Sequence, residues 1–158
     1  MKKVLISFAL GAILATNSVA KGEVDLPKNV VSQWDKTFAK SEKIEHKKVA
    51  FKNRYGIVIV ADLYTPKDAT GKLPAIAISG PYGAVKEQSS GLHAQSLAER
   101  GFVTLAFDPS FTGESGGDVR DISSPDINTE DFSAAVDYLG VQDFVDREKI
   151  GILGICGW

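Results

Sequence analysis

The chain has few sulfur-containing residues and few histidines. Its 158 residues contain one cysteine, one methionine and two histidines. A single cysteine excludes an intrachain disulfide, so the fold must be stabilised by packing. Two distant histidines and one thiol do not provide the clustered ligands of a metal site. We therefore expect neither a metal nor another cofactor.

Basic clusters and long apolar runs are also missing. The formal net charge is −2, and no run of Lys or Arg is long enough to follow a phosphate backbone, so nucleic acid is not an expected partner. The apolar run at residues 4–15 is shorter than the roughly 20 residues that a membrane-spanning helix needs. The sequence therefore predicts no stable membrane anchor.

The first twenty residues follow the pattern of an export signal. Lys2 and Lys3 precede the apolar run, and Ser18-Val19-Ala20 forms a small-x-small cleavage site. We expect cleavage after Ala20 and a periplasmic or secreted product. The remainder, residues 21–158, has the length of one domain and can bury a core.

The sequence pattern of the mature chain changes at about residue 45. Residues 21–44 are charged, and apolar residues including Trp34 and Phe38 follow a helical spacing. We interpret this segment as an N-terminal arm that packs on the domain edge. From residue 45 to residue 158, strand patterns alternate with helix patterns.

Seven elements are predicted in the order strand, strand, strand, helix, strand, helix, strand. They cover residues 47–51, 57–64, 73–78, 88–100, 102–107, 129–139 and 150–155, with Asn128 as the N-cap of the second helix. This order predicts an α/β fold with a mostly parallel sheet, antiparallel at its start, and helices on both faces.

The last five residues, Gly154 to Trp158, carry the clearest chemical signal. Cys156 follows an apolar run and lies between small residues, where a strand would turn sharply into a helix. Such a turn exposes a nucleophile, and the thiolate is the attacking form of cysteine. The alternative is a structural cysteine buried at a strand end, the more common role for a single thiol on counts alone.

Four motifs, taken in order, resemble the α/β-hydrolase superfamily. The resemblance is closest to its dienelactone-hydrolase-like branch and to the related Xaa-Pro peptidase and acyl-esterase group. It covers residues 45–158 and implies the first half of such a domain, ending at the nucleophile turn. The motifs are Ser79-Gly80-Pro81-Tyr82-Gly83, Leu97-Ala98-Glu99-Arg100-Gly101-Phe102, Asp108 to Gly117 with its Gly113-Glu114-Ser115-Gly116-Gly117, and the Cys156 turn.

The resemblance implies a role for several residues. Cys156 would be the nucleophile, and the oxyanion would be bound by the Gly157 backbone N–H and by Tyr82 or Gly83. The implied reaction is hydrolysis of an ester, lactone or peptide-like carbonyl in a small acyl substrate, through an acyl-enzyme. The dienelactone branch has Glu where this chain has Gly80, which favours a broader esterase-like or peptidase-like relative.

The acid and the histidine of such a triad follow the nucleophile along the chain. Both histidines of this sequence precede Cys156, so we expect negligible activity from these 158 residues alone. We expect His46 at the surface and His93 solvated or partly packed. Asp108 follows the fourth predicted strand, at the edge of the sheet where an active site would lie. Because it precedes Pro109, a role as a turn residue is the simpler interpretation.

Two other classes of function are suggested by parts of the sequence. A non-catalytic exported binding domain would use the same scaffold and recruit a partner, or a second copy, through the open edge of the final strand. Nucleotide binding is disfavoured because Gly151 lies within the predicted strand instead of after it. The charged residues from Glu42 to Lys48 are expected to form a solvated run.

Overall fold

A computed structural model describes residues 22–157. The predicted signal peptide, residues 1–20, lies outside the described residues, as does Trp158. No helix within the described residues has the length and apolar character needed to cross a membrane.

The described part of the chain forms five strands and two helices in the predicted order, which confirms the predicted fold class. The first three strands are β1 (Ile44–Lys52), β2 (Val58–Pro66) and β3 (Leu73–Ser79), and α1 (Ser89–Ala98) follows them. The remaining elements are β4 (Val103–Phe107), α2 (Pro125–Gly140) and β5 (Val145–Gly154).

The strands form one mixed sheet in the order β1-β2-β4-β3-β5. β2 pairs antiparallel with β1 and β4, whereas β3 pairs parallel with β4 and β5. The carboxyl ends of β3, β4 and β5 therefore meet at one edge of the sheet, where ligand sites of open α/β sheets lie.

Each face of the sheet is covered by one helix. Ala135 and Leu139 of α2 pack on one face in a cluster with Leu105. Ala94 and Ala98 of α1 pack on the other face. All five residues of β4 are buried, as expected for a strand between two helical layers.

The outer edge of β5 has no strand partner within residues 22–157. Ile152 is 63% exposed there. An unpaired strand edge offers free backbone N–H and C=O groups.

The second helix begins earlier than predicted. It starts at Pro125, with Ser124 in the N-cap position, because proline is well suited to the first position of a helix. Asn128 is therefore not the N-cap. Its side chain is buried inside the first turn, where Oδ1 accepts a 2.9 Å hydrogen bond from the Ser124 N–H.

The helical spacing in the N-terminal arm is misleading. Residues 30–38 form no helix, although their apolar residues follow a helical spacing. Instead, Trp34 Nε1 donates a 2.8 Å hydrogen bond to the Phe38 carbonyl. The Trp34 ring packs edge-on against Phe38 and His46. Tertiary packing of these side chains takes precedence over the local periodicity.

Candidate active site

Cys156 lies on a sharp bend just past the end of β5. Its φ angle is +65°, in the left-handed region that non-glycine residues rarely adopt. The Ile155 N–H donates a 3.2 Å hydrogen bond to the Ser79 carbonyl, so the bend begins beside the end of β3. The Cys156 side chain is exposed within the described residues.

The neighbouring loop, residues 80–88, leaves the end of β3 and is called the Tyr82 loop here. The Ala84 N–H donates to the Pro81 carbonyl at 2.9 Å, and Gly83 has a φ angle of +80°, as a type II turn requires. Tyr82 is 60% exposed, and its hydroxyl donates to the Asp121 carbonyl at 3.1 Å.

The turn that carries Cys156 and the Tyr82 loop follow adjacent parallel strands. Gly157 comes directly after Cys156 and is exposed. The fold thus places the predicted nucleophile and both predicted oxyanion donors at one edge of the sheet. Their catalytic roles stay predictions.

A small cavity of about 270 Å³ separates the Tyr82 loop from residues 108–124, the Asp108 loop, which follows β4. Its lining consists of Tyr82, Gly83, Val85, Thr112, Gly113 and Asp121.

A buried cluster of charged side chains lies behind the two loops. The Lys86 ammonium is 2.8 Å from Asp108 Oδ2, 2.6 Å from Glu114 Oε2 and 2.7 Å from Glu87 Oε1. The side chains of Lys86 and Asp108 are completely buried. Asp108 is therefore not merely a turn residue, since it accepts hydrogen bonds from both loops.

The carboxylates around Lys86 keep it charged. Burial alone would lower the pKa of its ammonium, but Asp108 and Glu87 raise that pKa well above its ordinary value. Burial raises the pKa of the Asp108 carboxyl, and the Lys86 ammonium opposes that shift. The two side chains therefore depend on each other for compensation of their buried charge.

The charged run in β1 is only partly solvated. Lys48 is largely buried, and its ammonium lies 2.8 Å from Glu114 and 3.2 Å from both Asp35 and Glu87. The expectation that all these side chains are solvated is wrong because alternate residues of a strand face opposite sides.

His46 is also not a surface residue. Its side chain is 12% exposed, and Nε2 lies 2.7 Å from Asp62 Oδ1. Lys36 of the N-terminal arm reaches the other oxygen of Asp62 at 2.9 Å, with both side chains fully buried. His93, by contrast, is exposed on α1, where its Nδ1 lies 2.8 Å from the Ser89 carbonyl.

Three carboxylates around Lys48 lie close enough together to be compared with a metal site. One oxygen each of Asp35, Glu87 and Glu114 lies within 4.8 Å of the others. All three contact the ammonium of Lys48. A lysine therefore supplies the positive charge that a bound cation would bring.

A second polar cluster fixes the Asp108 loop from the α2 side. Asp131 Oδ2 accepts a 2.7 Å hydrogen bond from the Ser110 N–H. Its Oδ1 accepts bonds of 2.8 Å from both the Ser110 hydroxyl and the Asn53 side-chain amide. The Asp108 loop is thus held from both sides, by Lys86 and by Asp131.

Acid is expected to destabilise the attachment of the N-terminal arm. Burial acts to raise the pKa of Asp62, but its contacts with His46 and Lys36 lower it below its ordinary value. Burial likewise acts to raise the pKa of Glu114, and Lys48 and Lys86 lower it. Carboxyls with a lowered folded-state pKa stabilise the fold above their unfolded values of about 4, and this contribution is lost as the pH falls through the folded values.

We therefore predict that the free energy of unfolding, measured by urea denaturation, decreases as the pH is lowered from about 5 towards 2. The matched variant Asp62→Asn should show a shallower decrease over the same range. Identical slopes in both proteins would contradict a role for Asp62 in this acid sensitivity.

The family model described as X-Pro dipeptidyl-peptidase (S15 family) matches residues 55–156. This chain belongs to that family. The match runs from the turn between β1 and β2 to Cys156, so it contains the Tyr82 loop, the Asp108 loop and the buried cluster around Lys86.

Similar sequences extend well beyond this chain. The Pseudomonas aeruginosa protein PA2218, described as uncharacterized, is 63% identical over 145 residues, which cover 91% of this chain and 39% of that protein. Escherichia coli YcjY, also described as uncharacterized, is 48% identical, with coverages of 69% and 37%. The thiohydrolase aneE of Aspergillus aculeatus is 32% identical, with coverages of 73% and 35%. The chain thus spans less than half the length of these relatives.

Solved structures show the same fold. The crystal structure of PA2218 superposes with a TM-score of 0.81 at 65% sequence identity, covering 85% of this chain and 42% of that one. The α/β hydrolase GrgF of Penicillium sp. superposes with a TM-score of 0.66 at 23% identity, covering 71% of this chain and 38% of that one. The fold is therefore that of α/β hydrolases.

Proposed function

We propose that this chain supplies the nucleophile and the oxyanion loop of an acyl hydrolase. Cys156 is the nucleophile, and the substrate is an ester, lactone or peptide-like acyl compound. The observation that carries the proposal is the exposed thiol on a left-handed turn at the end of a parallel strand. A strained turn at this place in an α/β hydrolase presents the nucleophile above the sheet. The thiohydrolase relative supports acyl chemistry.

The reaction would proceed in two steps. The Cys156 thiolate attacks the carbonyl carbon, a C–S bond forms, and the C–O or C–N bond to the leaving group breaks. Water then attacks the acyl-enzyme, which releases the acid and restores the thiol. A histidine base, which in this fold follows the nucleophile in the chain, would take the thiol proton and pass it to the leaving group.

The negative charge on the carbonyl oxygen would be met by the Tyr82 loop and by the turn after β5. The backbone N–H of Gly157 and a donor at Tyr82 or Gly83 would together bind the oxyanion. Since the Tyr82 hydroxyl donates to the Asp121 carbonyl, it would have to exchange this partner for the oxyanion during the reaction.

A chimera tests the proposal directly. Residues 1–156 are joined to the part of the Pseudomonas aeruginosa protein that follows its matching region, which is compatible because the two sequences are 63% identical. We expect the chimera to hydrolyse p-nitrophenyl acetate and to form an acetyl adduct on Cys156 that mass spectrometry detects in rapidly quenched samples. The Cys156→Ala chimera should lose both the adduct and the turnover.

The 158-residue chain is assayed in parallel and is expected to show no turnover above that of the Cys156→Ala chimera. Equal turnover of the parent chimera and its Cys156→Ala variant would overturn the assignment of the nucleophile.

A further inference from the structure

We propose that Lys86 and Asp108 form a positioning pair that fixes the Tyr82 loop beside Cys156. The proposal rests on the proposed function, since it assigns the pair to the acyl-transfer step. It concerns two residues that do not themselves contact a substrate.

One carboxylate joins the two loops that border the cavity. Asp108 Oδ1 accepts a 2.8 Å hydrogen bond from the Lys86 backbone N–H. Its Oδ2 accepts bonds from the Lys86 ammonium at 2.8 Å and from the Glu114 backbone N–H at 3.0 Å. Both loops are therefore held through their main chains, and Asp108 itself is fixed at the end of β4.

The Tyr82 loop has few other constraints between β3 and Lys86. Within it, the Ala84 N–H donates to the Pro81 carbonyl, and the Val85 N–H donates to the Gln88 side chain. The contact that Tyr82 makes outside the loop is the hydrogen bond to Asp121. The loop is thus fixed at Ser79, where β3 ends, and again at Lys86.

Helix α1 prevents Lys86 from moving away from Asp108. A Cβ atom at Gly91 would lie 2.3 Å from the Lys86 carbonyl oxygen, so the helix backbone packs directly on that peptide. Lys86 is consequently held by a charged partner on one side and by a close steric contact on the other. The Lys86 end of the loop is therefore held by two independent contacts.

The chemistry of the pair matters as much as its location. Charge-assisted hydrogen bonds are short and directional, whereas apolar contacts of equal area would tolerate sliding. An oxyanion hole needs donors that are in place before charge develops, because reorganisation during the reaction would cost rate. A buried ion pair at the end of the loop provides this fixed geometry.

The first test measures hydrogen exchange in the chain itself. Asp108→Asn keeps the shape of the side chain but removes its charge. We expect amides 84–86, which are hydrogen-bonded in the structure, to exchange about tenfold faster in this variant, as in a locally opened segment. The matched control is Asp131→Asn in α2, which removes another buried charge that contacts the Asp108 loop, at Ser110, and not residues 80–88. The control should leave amides 84–86 unchanged.

The second test compares two reactions of the Cys156 thiol. Acetylation by p-nitrophenyl acetate develops an oxyanion and expels p-nitrophenolate, whereas alkylation by iodoacetamide displaces iodide and develops none. The rate of acetylation divided by the rate of alkylation therefore reports oxyanion stabilisation at constant thiol reactivity. We expect Asp108→Asn to lower this ratio about tenfold, less than the roughly 10²–10³-fold lost when an oxyanion donor is removed, because the donor would be displaced and not removed. Asp131→Asn should leave the ratio unchanged.

The outcomes separate the two proposals. A parent ratio equal to that of N-acetylcysteine amide would argue against the proposed function, and the exchange data would still decide whether the pair fixes the loop. A raised parent ratio that Asp108→Asn leaves unchanged, or unaltered exchange at amides 84–86, would overturn the positioning role. If Asp108→Asn does not fold, Glu114→Gln removes one charge beside the same ammonium, and we expect about threefold faster exchange; no change would again overturn the role.

Discussion

Lys86→Met is expected to lower the free energy of unfolding by about 3–5 kcal/mol, the usual cost of removing one partner from a buried ion pair. The methionine fills a similar volume but leaves Asp108 fully buried without its ammonium partner. The neighbouring Glu87 and Glu114 lose the same cation, although both still contact Lys48. The loss would be measured by urea denaturation at pH 7 and would remove a large part of a typical domain's stability.

A double variant and an exposed lysine complete this experiment. In Lys86→Met/Asp108→Asn the unpaired buried charge is absent, and we expect about 1–2 kcal/mol of the loss to return. Lys149, which is 68% exposed and pairs with Asp146, serves as the matched control. Lys149→Met should leave the free energy of unfolding nearly unchanged, because exposed ion pairs contribute little. A small effect of Lys86→Met would show that water or rearrangement compensates the buried carboxylates.

The sequence predicts the layered fold well because the central strands β2 and β4 are buried on both faces. Continuous apolar runs such as β4, with five buried residues, can be recognised without knowledge of their partners. The turn at Cys156 is equally local, since small residues around a thiol at a strand end require only their immediate neighbours. Features that depend on adjacent residues were thus accessible to sequence reasoning.

The buried ion cluster could not be predicted from adjacent residues in the same way. Lys86 lies in a loop without periodicity, and its partner Asp108 is 22 residues away. No local pattern distinguishes such a lysine from a solvated one. The helical spacing of the N-terminal arm was misleading for a related reason. Trp34 and Lys36 contact His46 and Asp62, which lie in the sheet.

One part of the cluster did have a signal in the sequence. In an alternating strand that buries Ile44, residues 46 and 48 lie on the same face as residue 44. His46 and Lys48 therefore face inward, whereas Glu45 and Lys47 are exposed. Treating the charged residues from Glu42 to Lys48 as one run obscured this period of two.

The glycine-rich segment of the Asp108 loop is explained by the same carboxylate. Gly113 has a φ angle of +53°, and a Cβ atom there would lie 2.3 Å from Asp108 Oδ2 and 2.4 Å from its Cγ. Such distances require one of the groups to shift. Asp108 cannot shift without losing hydrogen bonds to Lys86 and Glu114. Glycine at this position is therefore a requirement of the ion pair.

Gly113→Ala is accordingly expected to cost about 2–5 kcal/mol of unfolding free energy, from roughly 1–2 for the left-handed backbone and the rest for the displaced carboxylate. Gly71→Ala is the matched control, since Gly71 has a φ angle of +75° but no atom within 4 Å of the added Cβ. It should show the backbone cost alone. Urea denaturation of both variants measures the difference, and equal losses would mean that the Asp108 carboxylate moves aside freely, which is incompatible with a fixed anchor for the Tyr82 loop.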